Sequence, residues 1–458
     1  MAVRLTKTQT TATNRKKFTF SCWIKRGKLG TQENFYGSWL SGSDEIQFRF
    51  DSDDELRFLN YPGSNAGLLN TKRFFRDPNA WMHIVIAGDT TQATNINRLK
   101  LYINGEQIVD GDFNSPGYPG QDTNFSFGTS SYSHVFGTSS ATGTSDPFTG
   151  LIAHAHFTDG YTYAATDFGE TDSTSGIWKP KTAPSVTYGN NGFFLKFENS
   201  ANMGLDSSGQ SNNFTVGSGT ITQNVDTPTN NFATLNPLAR DHSDTSSLTN
   251  GNLTYALSSY TLNTKSSLAM TAGKWYWEQK ISDTNTRIGL CTSGFNQNLD
   301  TDDTNAFYSS STGWGGVYLY NSQSSTSWQQ TNNNTSRSVT TYSNAISASA
   351  NDILMGAVDV DAGKLWIGVN GTWFNSGNPA TAATPTLTFS NDTPDPLHVY
   401  AGFGTSSARS CHFNFGSGYF ETTAVASANA DGNGHGAFEY QVPSGFYALC
   451  TKNLKEFG

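Results

Sequence analysis

Apolar and polar residues alternate along most of this chain, and that period of two constrains the fold more than any other feature. Phe18, Phe20 and Cys22 alternate with Thr19, Ser21 and Trp23. The same pattern runs through Ile46-Gln47-Phe48-Arg49-Phe50, Leu99-Lys100-Leu101-Tyr102-Ile103 and Trp275-Tyr276-Trp277-Glu278. Successive side chains of a β-strand point to opposite faces, so each run reads as a half-buried strand. No stretch of a dozen residues carries a 3.6-residue period; helices of a turn or two are expected only at 164–168 and 346–350. The 31 Phe, 19 Tyr and 10 Trp are large apolar groups that need burial, which excludes a disordered chain. The 45 Gly supply the turns that many short strands require.

The alternation is repeated at long range. Trp81–Asp89 is an apolar strand ending at an aspartate; a polar turn follows, then a second strand over 98–103 and the turn Asn104-Gly105. The stretch 352–359, the strand over 363–369 and the turn Asn370-Gly371 repeat that order. Asn-Gly is the strongest short hairpin signal, because a type I′ turn needs positive φ at both central positions. The fold expected is all-β, with two antiparallel β-sandwich (jelly-roll-like) domains in tandem. The first spans 1–224, with Phe193–Phe197 a strand that closes it. Residues 225–244, with Pro228, Asn230, Asn231 and Pro237, read as a linker, and the second domain spans 245–458.

Charged residues make up 14% of the 458, against about 25% in an average globular chain, and the net charge is -9. With no basic stripe, nucleic acid is not an expected partner. No apolar run is long enough to cross a bilayer, and no secretory leader is visible, so a route out of the cell by lysis inside a virus particle is the expectation. Cys22, Cys291, Cys411 and Cys450 have neither CxxC nor metal-ligand spacing and read as small buried hydrophobes.

Three clusters invite chemistry. Asp51, Asp53, Asp54 and Glu55, with Asp44 and Glu45 nearby, are the richest group of carboxylates. Asp51, Asp53 and Glu55 would share one face of a strand, but Asp53-Asp54 lies between Phe48-Arg49-Phe50 and Leu56-Arg57-Phe58 and reads as a hairpin turn; Asp51, Asp53 and Asp54 are the weak calcium candidates. His83, His154 and His156 include an i, i+2 pair, without a third ligand at a telling spacing, and read as structural; no cofactor is expected. A serine triad lacks the Gly-x-Ser-x-Gly elbow. The segment Trp314, Tyr318, Tyr320 and Trp328, together with Trp373 and Asn375, mixes aromatics with polar loops, as ligand sites commonly do. Val317 and Leu319 alternate with the two tyrosines, so one of those pairs faces a core.

Residues 17–157 resemble the laminin-G-like, concanavalin A-like lectin/glucanase superfamily, through the run from Phe18 to Lys25, the Trp81-x-His83 strand start, and Leu101-Tyr-Ile-Asn-Gly105. That family usually has Asp-Gly where Asn104-Gly105 stands, and its glucanases carry Glu-x-Asp-x-x-Glu, which is absent. Residues 270–420 resemble a SPRY domain, through the run from Gly273 to Glu278, Arg287-Ile-Gly-Leu290, the run from Gly363 to Trp373, and Phe413-Asn-Phe-Gly416. That resemblance implies a partner surface built from loops 296–312, 321–345 and 373–386. The combination resembles structural proteins of marine bacteriophages, through the run from Gly189 to Phe197, Ala233-Thr-Leu-Asn-Pro237 and the run from Gly445 to Asn453. The expectation is a non-enzymatic virion surface protein (tail fibre, spike or capsid appendage) that binds a host-surface glycan or receptor. Its other expected partners are virion structural proteins, and the expected assembly is a homotrimer. The alternative is a decoration or adaptor protein contacting only virion neighbours; a glycan-degrading enzyme ranks behind both.

Overall fold

The computed structural model describes residues 2–63, 67–239, 246–257, 263–284, 286–293, 348–389, 396–403 and 408–458, and the backbone alone of the strands lying between 308 and 340. The chain divides into two compact units, Met1–Gln223 and Asn224–Gly458. It is all-β, as the alternation requires, and its strands pair almost wholly antiparallel.

In the first unit the strands are β1 Arg4–Thr8, β2 Lys17–Arg26, β3 Glu33–Ser41, β4 Asp44–Phe50, β5 Glu55–Pro62, β6 Gly67–Phe74, β7 Met82–Asp89, β8 Leu99–Ile103, β9 Glu106–Gln107, β10 Ser133–Phe136, β11 Gly150–Asp159, β12 Gly169–Thr171, β13 Trp178–Pro180, β14 Phe193–Leu195 and β15 Thr215–Ser218. One sheet runs β15-β1-β10-β3-β4-β5-β6 and the other β14-β11-β2-β7-β8-β9. The alternate positions Phe18, Phe20, Phe48, Phe58, Phe157 and Phe193 meet in one buried aromatic core, where Phe20 stacks on Tyr36 at 4.0 Å between ring centroids. This is where much of the high aromatic content goes. β14 lies at the edge of the second sheet, beside β11.

The second unit repeats the arrangement. Lys274–Ile281 pairs with Arg409–Asn414 on one side and Ile353–Asp359 on the other, and Lys364–Val369 and Thr372–Trp373 follow outward. The opposing sheet runs from Asn263–Lys265 through Leu397–Phe403, Thr286–Thr292, Gly316–Asn321 and Trp328–Asn332 to Ser338–Thr340. The echo extends to side chains. Lys17 opens β2 opposite Asp89, with Nζ and Oδ2 3.3 Å apart; Lys274 faces Asp359 at the same 3.3 Å. Asn104 Oδ1 accepts the His83 N–H and Asn370 Oδ1 accepts the Ile353 N–H. The Trp178 ring lies 3.1 Å from where a Cβ on Gly105 would sit, and the Tyr440 ring 3.1 Å from that point on Gly371, so an aromatic covers each Asn-Gly turn.

Two expectations need correction. Phe232, Ala233 and Leu235, within the stretch read as a linker, are buried in the second unit. The Ala233 N–H donates to Leu449 O and the Leu235 N–H to Asn252 O, both at 2.9 Å. Their own alternation was masked by the flanking Pro and Asn residues. The α-helix among the described residues is α1, Thr451–Phe457, where no helix was expected; it is too short to display a 3.6-residue period, and its Phe457 ring stacks on Tyr447 at 3.9 Å. At 164–168 there is a single 3-10 turn, Ala165–Asp167; of 346–350, residues 346 and 347 lie outside the described residues and 348–350 are not helical.

Candidate functional site

The carboxylate cluster is a hairpin turn between β4 and β5, as its flanking strands imply. Asp54 adopts φ 70° and its N–H donates to Asp51 O at 2.9 Å. Arginines take up its carboxylates. Asp51 accepts from Arg49 Nε at 2.7 Å and Arg57 Nη1 at 3.3 Å; Asp54 accepts from Arg26 Nη1 and Arg76 Nε, both at 3.0 Å. Asp53 Oδ1 caps the Glu55 N–H at 3.2 Å. Asp51 and Asp54 are thus neutralised by guanidinium groups on separate sides of the turn, and the calcium reading of Asp51, Asp53 and Asp54 falls. Among the described residues no group of three His, Cys, Asp or Glu side chains is placed to hold a metal ion.

His83 and His156 are fully buried on the face of the six-stranded sheet away from the core, and His154 is half-buried beside them. His83 stacks on Trp23 at 4.8 Å, its Nδ1 accepts from Trp178 Nε1 at 3.0 Å, and its Nε2 lies 2.8 Å from Ser21 Oγ. An indole N–H can only donate, so Nδ1 is the bare nitrogen and the Nε2–H donates to Ser21. That polarity is opposite to a nucleophile and its base, in which the serine hydroxyl gives its proton to the imidazole. Burial holds the His83 pKa down to about 3. His156 Nδ1 meets Tyr188 Oη at 3.0 Å, and its ring stacks on Phe194 at 3.9 Å. His154 adopts φ 46° at a bulge in β11, so the i, i+2 pair does not share a regular strand face.

In the second unit the His398 Nδ1–H donates to Ser266 O at 2.7 Å, leaving Nε2 to accept from Ser293 Oγ at 3.0 Å. This pair has the polarity of nucleophile and base. Burial, however, lowers the His398 pKa to about 4, well below the range in which a general base works near neutrality.

Trp314, Tyr318, Tyr320 and Trp328 have side chains outside the described residues. The backbone register sets Tyr318 opposite Gly289 and Tyr320 opposite Arg287, while Val317 and Leu319 pair with Leu290 and Ile288, both core residues. Of the loops expected to form a partner surface, residues 296–307 and 310–312 of 296–312, and 322–327, 333–337 and 341–345 of 321–345, lie outside the described residues. Trp373 is half-buried against a small cluster that includes Tyr276, Trp366 and Phe438, with the Tyr276 ring at 6.4 Å. Asn375 lies two residues on, in a short 3-10 turn, at φ 55°. Nearby, Glu278 is wholly buried and accepts four hydrogen bonds: from Tyr276 Oη at 2.9 Å, Asn414 Nδ2 at 3.1 Å, the Glu439 N–H at 2.9 Å and the Tyr440 N–H at 2.8 Å. It pins the 425–450 segment to the sheet. Burial raises its carboxyl to about 7 against the pull of those donors.

The outward face of the seven-stranded sheet carries a different set. Ile46, Phe48, Phe50, Leu56 and Phe58 point into the core, so Glu45, Gln47 and Arg49 of β4 and Leu59 and Tyr61 of β5 lie on the opposite face. Trp39 pairs with Glu45, and Glu45 with Tyr61, in one row across three strands. The next row holds Val135, Gly37, Gln47, Leu59 and Leu68. Both rings are half-buried, and Glu45 between them is 8% exposed. Gln47 follows Glu45 on the same face, and Arg49 Nη1 donates to Gln47 Oε1 at 2.8 Å. In sequence Glu45 is only a neighbour of the turn, and nothing in the pattern singles out Trp39 or Tyr61. The alternation of Ile46, Phe48 and Phe50 already placed Glu45 outward, but only strand register shows that two rings flank it.

Residues 2–168 match the model of the Concanavalin A-like lectin/glucanases superfamily. No curated protein matches the chain. Solved structures similar to it include a putative carbohydrate binding protein from Bacteroides ovatus, at 13% identity and TM-score 0.33, covering 47% of this chain and 57% of that one. The TRIM65 PSpry domain is similar at 15% identity and TM-score 0.29, covering 40% and 89%. The SPRY domain of human HERC1 is similar at 16% identity and TM-score 0.27, covering 39% and 96%.

Proposed function

We propose that this chain is a non-enzymatic carbohydrate-binding protein, displayed on a virus particle, that attaches to a host-surface glycan. The observation that carries the binding reading is the commitment of its reactive groups to internal bonds. Asp51 and Asp54 are held by arginines, the Ser21–His83 pair has the wrong polarity for attack, and Glu278 is consumed by four donors. The lectin-type family match over residues 2–168 supports a carbohydrate ligand. The virion setting is supported by the sequence resemblance of the runs at 189–197, 233–237 and 445–453 to phage structural proteins. Homotrimeric display would raise weak glycan affinity through multivalency.

The test is retention of the purified chain on host cells and on their envelope polysaccharide, with a reducing-sugar assay in parallel. Retention without sugar release is the expected result. Sugar release would replace the reading with an enzymatic one. No retention, together with a particle reconstruction showing the chain buried among virion subunits, would favour the decoration reading.

A further inference from the structure

We infer that the outward face of the seven-stranded sheet in the first unit is a glycan platform, on which Trp39 and Tyr61 stack against sugar rings and Glu45 accepts hydrogen bonds from the hydroxyls between them. The ligand is an uncharged polysaccharide segment. This rests on the proposed carbohydrate-binding function and adds the site and the class of sugar.

The register supplies the geometry. Trp39, Glu45 and Tyr61 are directly opposed on three neighbouring strands, so the two aromatics stand two strand spacings apart, roughly 9.5 Å. That span suits a ligand of more than one ring lying across the strands. Gly37 occupies the next row between Val135 and Gln47, where a Cβ would come within 2.5 Å of Ile46 O, so the β3 and β4 backbones lie close together beside Trp39.

The chemistry supplies the class. An aromatic face packs on the C–H face of a sugar ring, and the hydroxyls around that ring need acceptors and donors. Glu45 is more than nine-tenths buried between the two rings. Taking a carboxylate that far out of water is costly unless its lone pairs are filled. A carboxylate has about four acceptor positions, and sugar hydroxyls can fill them. Arg49, on the same face, donates through Nε to Asp51 and through Nη1 to Gln47, and no hydrogen bond joins it to Glu45 among the described residues. At the centre of the row Glu45 offers acceptors only, which suit sugar hydroxyls and give a uronate, sialate or phosphate oxygen no donor.

The experiment uses the full chain with two probe sets, neutral gluco-, manno- and galacto-oligosaccharides and acidic oligogalacturonates, measured by calorimetry and by tryptophan fluorescence. Wild type is expected to bind a neutral set and not the acidic one. Trp39→Ala and Tyr61→Ala are each expected to weaken that binding at least about tenfold, a loss of ~1.4 kcal/mol. Trp39→Phe, which keeps an aromatic face, should recover part of it, and an unchanged circular dichroism spectrum and melting point show that the variants fold. Glu45→Gln should weaken binding by several-fold. If wild type binds neutral glycans and both alanine variants bind equally well, the platform is overturned while the carbohydrate-binding reading stands. A preference for the acidic set also overturns it. Binding of neither set overturns both, as does capture of a defined virion protein through Trp39 with no glycan binding.

Discussion

The indole N–H of Trp178 donates to Nδ1 of His83 at 3.0 Å, and this bond fixes the tautomer of a histidine buried under the 160–188 segment. Nδ1 must be unprotonated to accept, so Nε2 carries the hydrogen and gives it to Ser21. The same indole covers Gly105 at the hairpin turn. One tryptophan thus anchors the excursion after β11, orients the histidine and caps the turn.

Trp178→Phe keeps a ring over the turn and removes the donor. A buried acceptor left without its partner costs about 1–3 kcal/mol. The expected result is a lower urea midpoint with an unchanged slope. A midpoint equal to wild type would mean that water satisfies Nδ1 and that the bond carries no stability.

Acid should destabilise the chain over a defined window. The pKa values of His83 and His134 are held down to about 3, that of His398 to about 4, and that of His156 well below the usual value, in each case chiefly by burial. In the unfolded chain these groups titrate near 6.5. Below that pH the unfolded state binds protons the folded state refuses, so this stability is present above about pH 6.5 and lost as pH falls towards the folded values. Glu278 acts in the opposite sense: raised to about 7, it favours the folded state at low pH, and that contribution disappears as pH rises through 7. Between roughly pH 6 and 5 the net is about three protons, or ~4 kcal/mol per pH unit from these groups. Denaturation midpoints measured across that range should fall steeply, and Glu278→Gln should steepen the fall. A flat profile would contradict the buried neutral histidines.

The period-two pattern was enough to read the strands, because each half-buried strand writes its two faces into alternate residues: Phe18, Phe20 and Cys22 all lie in the first core. The repeated hairpins were legible because Asn-Gly does locally what the turn requires. Other features depend on partners distant in sequence. Phe232 and Leu235 looked like linker because their burial is provided by the second unit, including the chain's last thirty residues. Glu278 stands in a strand whose alternation says only that it faces away from Trp275 and Trp277; that the N–H groups of Glu439 and Tyr440 converge on it is set by a return of the chain some 160 residues later. Trp39, Glu45 and Tyr61 are ordinary outward positions until register puts them in one row.

Arg26 links two carboxylates inside the first unit. It donates to Asp54 at 3.0 Å and to Phe75 O at 2.7 Å, lies 3.5 Å from Glu33 Oε2, and stacks 4.1 Å above the Phe50 ring. Arg26→Ala leaves Glu33 and Asp54 buried without that compensation. A loss of about 3–5 kcal/mol is expected, largely independent of added salt because the pair is shielded from solvent. Adding Glu33→Gln to the variant should restore part of that loss. No recovery in the double variant would show that lost packing against Phe50, rather than uncompensated charge, dominates.

The two Asn-Gly turns allow a matched comparison. Asn104 and Asn370 both adopt positive φ, 49° and 48°, and both accept an N–H from the start of the strand paired with the one they end, that of His83 at 2.8 Å and of Ile353 at 2.9 Å. Alanine at either position loses that bond and strains the left-handed backbone, for an expected cost of about 2 kcal/mol at Asn104; Asn370 also donates through Nδ2 to Asp352 Oδ1 at 2.7 Å, so alanine there loses more. Glycine loses only the side-chain bonding, about 1 kcal/mol per bond, because it tolerates positive φ. Asn370→Ala should therefore cost more than Asn104→Ala, and equal costs would mean that the exposed bond to Asp352 carries no stability. Each turn is also covered by an aromatic from later in its own unit, Trp178 or Tyr440. A larger cost at Asn104 would instead locate the difference in His83, whose N–H Asn104 holds and whose ring Trp178 orients.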